Sequence, residues 1–148
     1  MLRVHTWNRE SIMFIERKFK HMRPFTLKEL CAWWESEGTL ALLPKGCNPK
    51  KTCNKAHFAI TQRAPIEFHK GIRDALVQHC KVEARACFVY EDRVIMRNPT
   101  EIKKVMDTLK PLVRIPKRKA QIMAFETFYA AREHLFRSYT PKPTLRKK

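Results

Sequence analysis

Two glutamates at the end of a short predicted helix have the clearest capacity for chemistry in this chain. Glu35 and Glu37 stand three residues and one residue before Gly38, which we interpret as the left-handed residue that ends the helix. The carbonyl oxygens exposed in the last turn of a helix carry partial negative charge, so anionic side chains are disfavoured there. A bound cation would relieve this repulsion. The pattern therefore predicts a helix that presents a carboxylate to a cation.

The beginning of this helix is also marked. Glu29 follows Thr26 by three residues, as in a capping box, and Phe25 and Leu30 occupy the positions of a hydrophobic staple. We therefore expect the helix to begin at Thr26.

A stripe of small side chains runs along the same helix. Ala32 and Ser36 lie four residues apart, so they share one face and would allow a second helix backbone to approach closely. Ala32, Trp33 and Ser36 are the predicted contacts between two such helices.

Composition limits the function classes. The 148 residues include 31 Lys and Arg against 14 Asp and Glu, a formal charge of +17, which favours a polyanionic partner, above all nucleic acid. One domain is expected at this length. A membrane surface is the competing partner, but the sequence contains no apolar run of spanning length and no secretory signal.

Five cysteines are an odd number without C-x-x-C spacing, which predicts neither a disulfide framework nor a zinc ribbon. We expect an intracellular, reducing compartment, such as the cytoplasm or an organelle matrix. Cys47, Cys53 and His57 could be metal ligands, or they could be ordinary strand and loop residues.

A basic amphipathic helix is expected within residues 1–24, either packed on the domain or binding a partner. The main domain is expected to span residues 25–137. Residues 138–148 form a basic tail that we expect to be disordered.

The first predicted β-hairpin follows Gly38, and alternation divides its residues between two faces. Its long loop carries lysines suited to phosphates. The residues assigned to the partner-facing side and the loop are Thr39, Ala41, Leu43, Lys45, Lys50, Lys51, Lys55, His57, Ala59 and Thr61.

The second half of the chain repeats the order of helix and hairpin. Pro65 begins a helix to Cys80, and residues 83–96 alternate as a second hairpin, which would place Arg85, Cys87, Arg93 and Ile95 on the same side as the first. Asn98, Pro99 and Glu101 predict a capped helix to Lys110. A long helix then follows residues 116–119, with a predicted stripe of Ala120, Ala124, Phe128, Ala131 and Leu135.

The chain from about Phe25 to Arg137 resembles one unit of the LAGLIDADG homing endonucleases. Three landmarks occur in the family's order: the signature helix, an ITQ tripeptide at residues 60–62 that ends the second strand, and a basic run before the last helix. The matching signature residues are Leu30, Ala32, Trp33, Trp34, Glu35, Ser36, Glu37 and Gly38. The resemblance implies an α+β fold of order αββαββα with a saddle-shaped antiparallel sheet. One signature helix without an internal repeat implies a homodimer.

The resemblance also implies particular roles. Glu37 would hold Mg²⁺ or Mn²⁺, with the carbonyl of Gly38 as a further ligand. Glu35 lies two residues away on the helix, a position that favours a structural or cap-region charge over a second metal ligand. Gln62 would place water at the site, or alternatively satisfy local backbone groups. Lys117 would be the basic residue of the site, although one alignment puts Pro116 at that position; Arg118 and Lys119 would contact DNA.

Two functions remain open at this point. One is a metal-dependent endonuclease, intron-encoded or free-standing, that cuts both strands of a long pseudo-palindromic DNA target. The other is a non-cleaving binder on the same fold, either an intron RNA maturase or a DNA-binding regulator. A ribosomal or RNA-packaging protein would explain the charge but not the ordered landmarks.

Overall fold

The computed structural model describes residues 23–137, and the predicted N-terminal helix and C-terminal tail lie outside that range. The fold is α+β, as predicted. It consists of α1 (Leu27–Glu37), β1 (Gly38–Leu43), β2 (Lys55–Thr61), α2 (Ile66–Cys80), β3 (Phe88–Val89), β4 (Arg93–Met96), α3 (Pro99–Leu109) and α4 (Pro116–Arg137). Two short 3₁₀ helices lie at Ala84–Ala86 and Lys110–Leu112.

The four strands form one antiparallel sheet of order β1-β2-β4-β3. Alternation gives the sheet two faces, as the sequence predicted for β1, β2 and β4. One face is the core: Leu40, Phe58 and Met96 stand opposite one another and are buried among helix residues such as Trp34 and Phe125. The helices therefore cover one face of the sheet, and we call the other the outer face.

The helix α1 begins as predicted, with the complete capping box between Thr26 and Glu29. Arg23 donates two hydrogen bonds to the Glu29 carboxylate, and this contact is the largest cause lowering the pKa of Glu29 to about 2. The predicted left-handed end is wrong, because Gly38 has the extended angles φ −95° and ψ 171°. Glycine is required there by close approach, since a Cβ would overlap the indole and carbonyl of Trp34.

The second hairpin differs from the prediction. Ala84–Ala86 is a 3₁₀ helix rather than strand, and this turn shifts the alternation by one residue. Cys87 is consequently buried in the core, whereas Phe88 lies opposite Ile95 on the outer face. Glu101, predicted to complete a capping box, instead accepts a hydrogen bond from the backbone N–H of Glu83.

The predicted stripe of α4 is only partly confirmed. Phe128 is buried as predicted and Ala124 is half-buried, but Ala120, Ala131 and Leu135 are exposed, and the other buried residues are Arg118, Ile122 and Phe125. Bulky side chains remove more apolar area from water than alanines do, so their face turns inward.

The cysteines behave in two ways. Cys47 and Cys53 form a disulfide that closes the β1–β2 loop, in contrast to the expectation of no disulfide, and this bond excludes both thiols from a zinc site with His57. Cys31, Cys80 and Cys87 are free and buried, and burial raises their pKa values to about 11, 11 and 12. These three remain protonated core residues at neutral pH.

Candidate nucleic-acid interface

One end of the sheet brings together the residues that the sequence singled out for chemistry. Gly38 begins β1 and stands opposite Ile60 on β2. Gln62 follows Ile60 by two residues, and its backbone N–H donates to the carbonyl of Asp92 at 2.9 Å. Glu37 and Gln62 therefore lie at the same end of adjacent strands.

The beginning of α4 is fixed to this end by Glu35. Its carboxylate accepts hydrogen bonds from the backbone N–H groups of Arg114 at 2.7 Å and Ile115 at 3.0 Å. Both groups immediately precede α4, where a negative charge is favoured by the helix dipole. The predicted structural role of Glu35 is consistent with these contacts.

Arg118 makes the second attachment. Its guanidinium donates to the carbonyls of Glu35 at 3.0 Å and Gly38 at 2.8 Å, and lies 5.2 Å from the centre of the Trp34 ring. Burial is the largest cause lowering its pKa. Arg118 is 9% exposed and bonded within the chain, which does not favour the predicted contact with DNA. Its exposed neighbours Lys117 and Lys119 lie beside the junction of α1, β1 and α4.

Glu37 presents its carboxylate to solvent at this junction. Among residues 23–137, no ion-pair or hydrogen-bond partner contacts its side chain. Ala32 and Ser36 are exposed on the same helix, and Ser36 donates within it to the carbonyl of Ala32. Trp33 differs, because it is half-buried and its ring contacts Phe68 at 4.8 Å between centroids.

The fit of a divalent metal to these residues is partial. The free Glu37 carboxylate is a suitable oxygen ligand for Mg²⁺ or Mn²⁺. The carbonyl of Gly38 already accepts from the Arg118 cation, which leaves one lone pair for a metal and places a positive charge beside it. Gln62 also uses its amide oxygen locally, accepting from the backbone N–H of Arg63 at 2.9 Å. Within the described range, no cluster of three His, Cys, Asp or Glu side chains could hold a metal.

The outer face is the second part of the site. Its exposed strand residues include Thr39, Lys55, Thr61 and Arg93, with Ala41, Leu43 and His57 half-buried. Ala59 and Ile95 are on this face but are only 3% and 4% exposed, so they contribute little surface. Arg85 lies in the 3₁₀ helix, where it pairs with Glu83 at 3.0 Å.

His57 lies near the middle of this face. Burial is the largest cause lowering its pKa, and the positive charges of Arg97 and Arg93 add to the effect. The imidazole is therefore neutral over a wider pH range than an ordinary histidine, in a place where an approaching phosphate would favour its protonation.

The loop between β1 and β2 carries Lys45, Lys50 and Lys51, all exposed. Asn48 organises its backbone, because its carbonyl accepts from the N–H groups of the next turn and its side chain accepts from the N–H of Lys50. Arg132 of α4 donates a hydrogen bond to the carbonyl of Pro49 at 2.8 Å, which attaches the loop to α4. The three lysines are thus carried by a loop whose backbone is held by hydrogen bonds.

Three residues of this surface were missed by the sequence analysis: Phe88, Tyr90 and Arg97. Continued alternation after Arg93 and Ile95 would have indicated Arg97. The face on which the two aromatic residues lie depends on the position of the 3₁₀ helix, and the local sequence does not indicate that position clearly.

None of the helices within residues 23–137 has the length and apolarity needed to cross a lipid bilayer. Comparisons with protein-family models, with curated proteins and with solved structures found no match.

Proposed function

We propose that this protein is a site-specific DNA endonuclease that acts as a homodimer and requires a divalent metal. The observation that carries this proposal is the exposed carboxylate of Glu37, which no side chain or backbone group within residues 23–137 pairs with, at one end of a cationic sheet face. A protein that only binds a polyanion gains nothing from a negative charge there, since that charge repels phosphate.

In a homodimer, each of the two subunits would contribute one Glu37 carboxylate. The exposed Ala32 and Ser36 allow close approach of a second α1 across a two-fold axis, and a closed symmetric contact satisfies both copies. Two Glu37 side chains would then lie near the axis, where their mutual repulsion favours a cation between them.

The metal ion would be Mg²⁺ or Mn²⁺, held by Glu37 of each subunit. When bound, such an ion neutralises charge on the scissile phosphate and lowers the pKa of a bound water. The chain itself supplies Lys117 and Lys119 beside the junction, as cations able to orient the phosphate backbone.

The outer face and the loop would bind the duplex. A two-stranded β-ribbon fits the major groove, so two subunits with two ribbons each would cover a pseudo-palindrome of roughly 20 base pairs. The loop lysines Lys45, Lys50 and Lys51 would neutralise phosphates and give a steep dependence on salt.

A non-cleaving binder is the second candidate, and two observations favour it. The Gly38 carbonyl and the Gln62 amide oxygen are both engaged within the chain. Pro116 stands where one alignment with the resembled family expects a lysine. A duplex-binding regulator, or an RNA maturase, would retain the cationic face without needing these groups for catalysis.

The decisive experiment separates binding from cleavage. Full-length protein is used to select a bound duplex from a randomised library, and that duplex is incubated with Mg²⁺ or Mn²⁺. Wild-type protein is expected to break both strands, whereas Glu37→Gln should bind the same site without cutting. Glu67→Gln, the same neutralisation on α2, should cut normally. Wild-type protein that binds a defined site and never nicks it would replace the endonuclease with the second candidate.

The dimer is tested separately. Ala32→Trp adds a bulky side chain at an exposed position, so the protein should fold but sediment as a monomer and lose affinity for the full site. Wild-type protein that remains monomeric on its selected duplex at micromolar concentration would remove the dimer.

A further inference from the structure

A row of one threonine and three apolar residues, which we call the apolar row, crosses the outer face at right angles to its strands. Thr39, Ala59, Ile95 and Phe88 stand opposite one another on the four strands. The middle of the row is closed to solvent, but Phe88 at its end is 46% exposed. Tyr90, two residues further along the chain, is 45% exposed, and two neighbouring exposed aromatic side chains on a cationic surface indicate a contact site better than one alone.

The surroundings of Phe88 match a DNA groove. Arg93 of β4 and Arg97, the residue directly after β4, lie on either side of Ile95, and both are close enough to His57 on the outer face to lower its pKa, so cations flank the apolar row. Phosphates border a groove on both sides in the same way. The arrangement of charges on this part of the sheet is thus complementary to a duplex with an apolar group in its groove.

Among the bases, thymine presents such a group in the major groove. Its 5-methyl is the only apolar group displayed there by the four standard base pairs, and phenylalanine is a suitable contact for it. We propose that Phe88, supported by Ile95, contacts a thymine methyl group in each half-site and makes the second ribbon selective for thymine. This inference rests on the binding of duplex DNA described above.

Stacking on unpaired RNA bases is the other use of an exposed aromatic ring, and the contacts do not favour it. Stacking requires an open ring face. The guanidinium of Arg93 lies 5.9 Å from the centre of the neighbouring Tyr90 ring and occupies one face of that ring. Phe88 and Tyr90 therefore do not form a pair of fully open stacking surfaces.

The test replaces thymine with uracil, which removes only the methyl group and preserves base pairing. Each thymine of the selected duplex is replaced singly, and affinity is measured for wild-type protein, Phe88→Ala and the control Met123→Ala. Met123 is 64% exposed on α4, away from the strands. The expected result is a symmetric thymine in each half-site at which uracil weakens wild-type binding about fourfold, the effect of one lost methyl group. The control should show the same loss, and Phe88→Ala should show none.

Folding is checked by circular dichroism, and Phe88→Leu serves as a second variant because it keeps an apolar side chain and should retain part of the uracil effect. A selected site without a preferred thymine, or an equal uracil effect in wild type and Phe88→Ala, overturns the thymine contact while duplex binding stands. Loss of single-stranded RNA binding in Phe88→Ala, with duplex affinity unchanged, would assign the ring to RNA instead. Failure to select any duplex would reject the proposed function itself.

Discussion

The guanidinium of Arg118 donates a 2.8 Å hydrogen bond to the carbonyl of Gly38, joining the first turn of α4 to the point where α1 becomes β1. The same side chain bonds the carbonyl of Glu35 and lies over Trp34. One buried cation thereby satisfies two carbonyls at a helix end that lacks a basic residue in its own last turn. The geometry of the candidate site depends on this contact.

Arg118→Ala should destabilise the protein by about 3 kcal/mol, because it leaves the two carbonyls without their charged donor and opens a space beside Trp34. Arg118→Lys should recover only part of the loss, since one ammonium cannot reproduce the planar guanidinium. Urea denaturation measures both. The neighbouring Lys119→Ala is the control and should change stability by no more than about 0.5 kcal/mol. Equal stability of Arg118→Ala and wild type would contradict this role.

His69 predicts a dependence of stability on pH. It is 0% exposed, and neither ring nitrogen makes a hydrogen bond of normal distance and angle within the described structure, although the backbone of Gln62 and Glu91 lies close to the ring. Burial is the largest cause lowering its pKa, only partly opposed by the backbone of Gln62 and Glu91 and by Asp92. The unfolded chain therefore binds a proton more readily, at an ordinary pKa of about 6.5.

As the pH falls through about 6.5 towards the lowered pKa of the folded state, His69 should make the protein progressively less stable. His69→Leu should remove this part of the pH dependence and keep the apolar packing against Phe68. Chemical denaturation at a series of pH values measures the difference between the two proteins. Identical slopes for both would show that His69 does not titrate between the folded and unfolded states.

Local patterns in the sequence identified the ends of several elements. The capping box at Thr26 and the cap of Asn98, whose side chain accepts from the N–H groups of Thr100 and Glu101, involve residues within a few positions of one another. Alternation likewise assigned the faces of β1, β2 and β4. The interacting residues are close together in the sequence, so local sequence patterns are enough to predict these contacts.

The remaining features depend on contacts between distant residues. Glu35 accepts hydrogen bonds from Arg114 and Ile115, which follow it in the sequence by 79 and 80 residues. Glu101 accepts one from Glu83, which precedes it by 18 residues. No local pattern encodes such a pairing. The sequence was enough to predict that Glu37 lies at the end of α1. It was not enough to predict that Arg118 donates a hydrogen bond to the Gly38 carbonyl.

The Cys47–Cys53 disulfide predicts how many thiols react with an alkylating agent before and after reduction. Unfolded without reductant and kept at low pH until alkylation, the protein should yield three reactive thiols, from Cys31, Cys80 and Cys87, and five after reduction. Replacing both bonded cysteines with serine should cost about 2 kcal/mol, because a short closed loop is released in the unfolded chain. Cys31→Ser provides a comparison at a free cysteine. Five thiols before reduction would contradict the bond.

Under the proposed binding of DNA, His57 predicts an affinity that depends on pH. Burial, Arg97 and Arg93 lower its pKa in the free protein, whereas a bound phosphate near the outer face would raise it. The complex then holds more protons than the free protein, so affinity should increase as the pH falls from about 7.5 to about 5.5, by at most about tenfold per unit for one proton. His57→Gln should bind similarly at the upper pH and lose this increase. His134→Gln, exposed near the end of α4, is the control for removal of an imidazole elsewhere. Fluorescence anisotropy at constant ionic strength measures the three proteins, and an equal increase in His57→Gln and wild type would show that His57 does not face the phosphates.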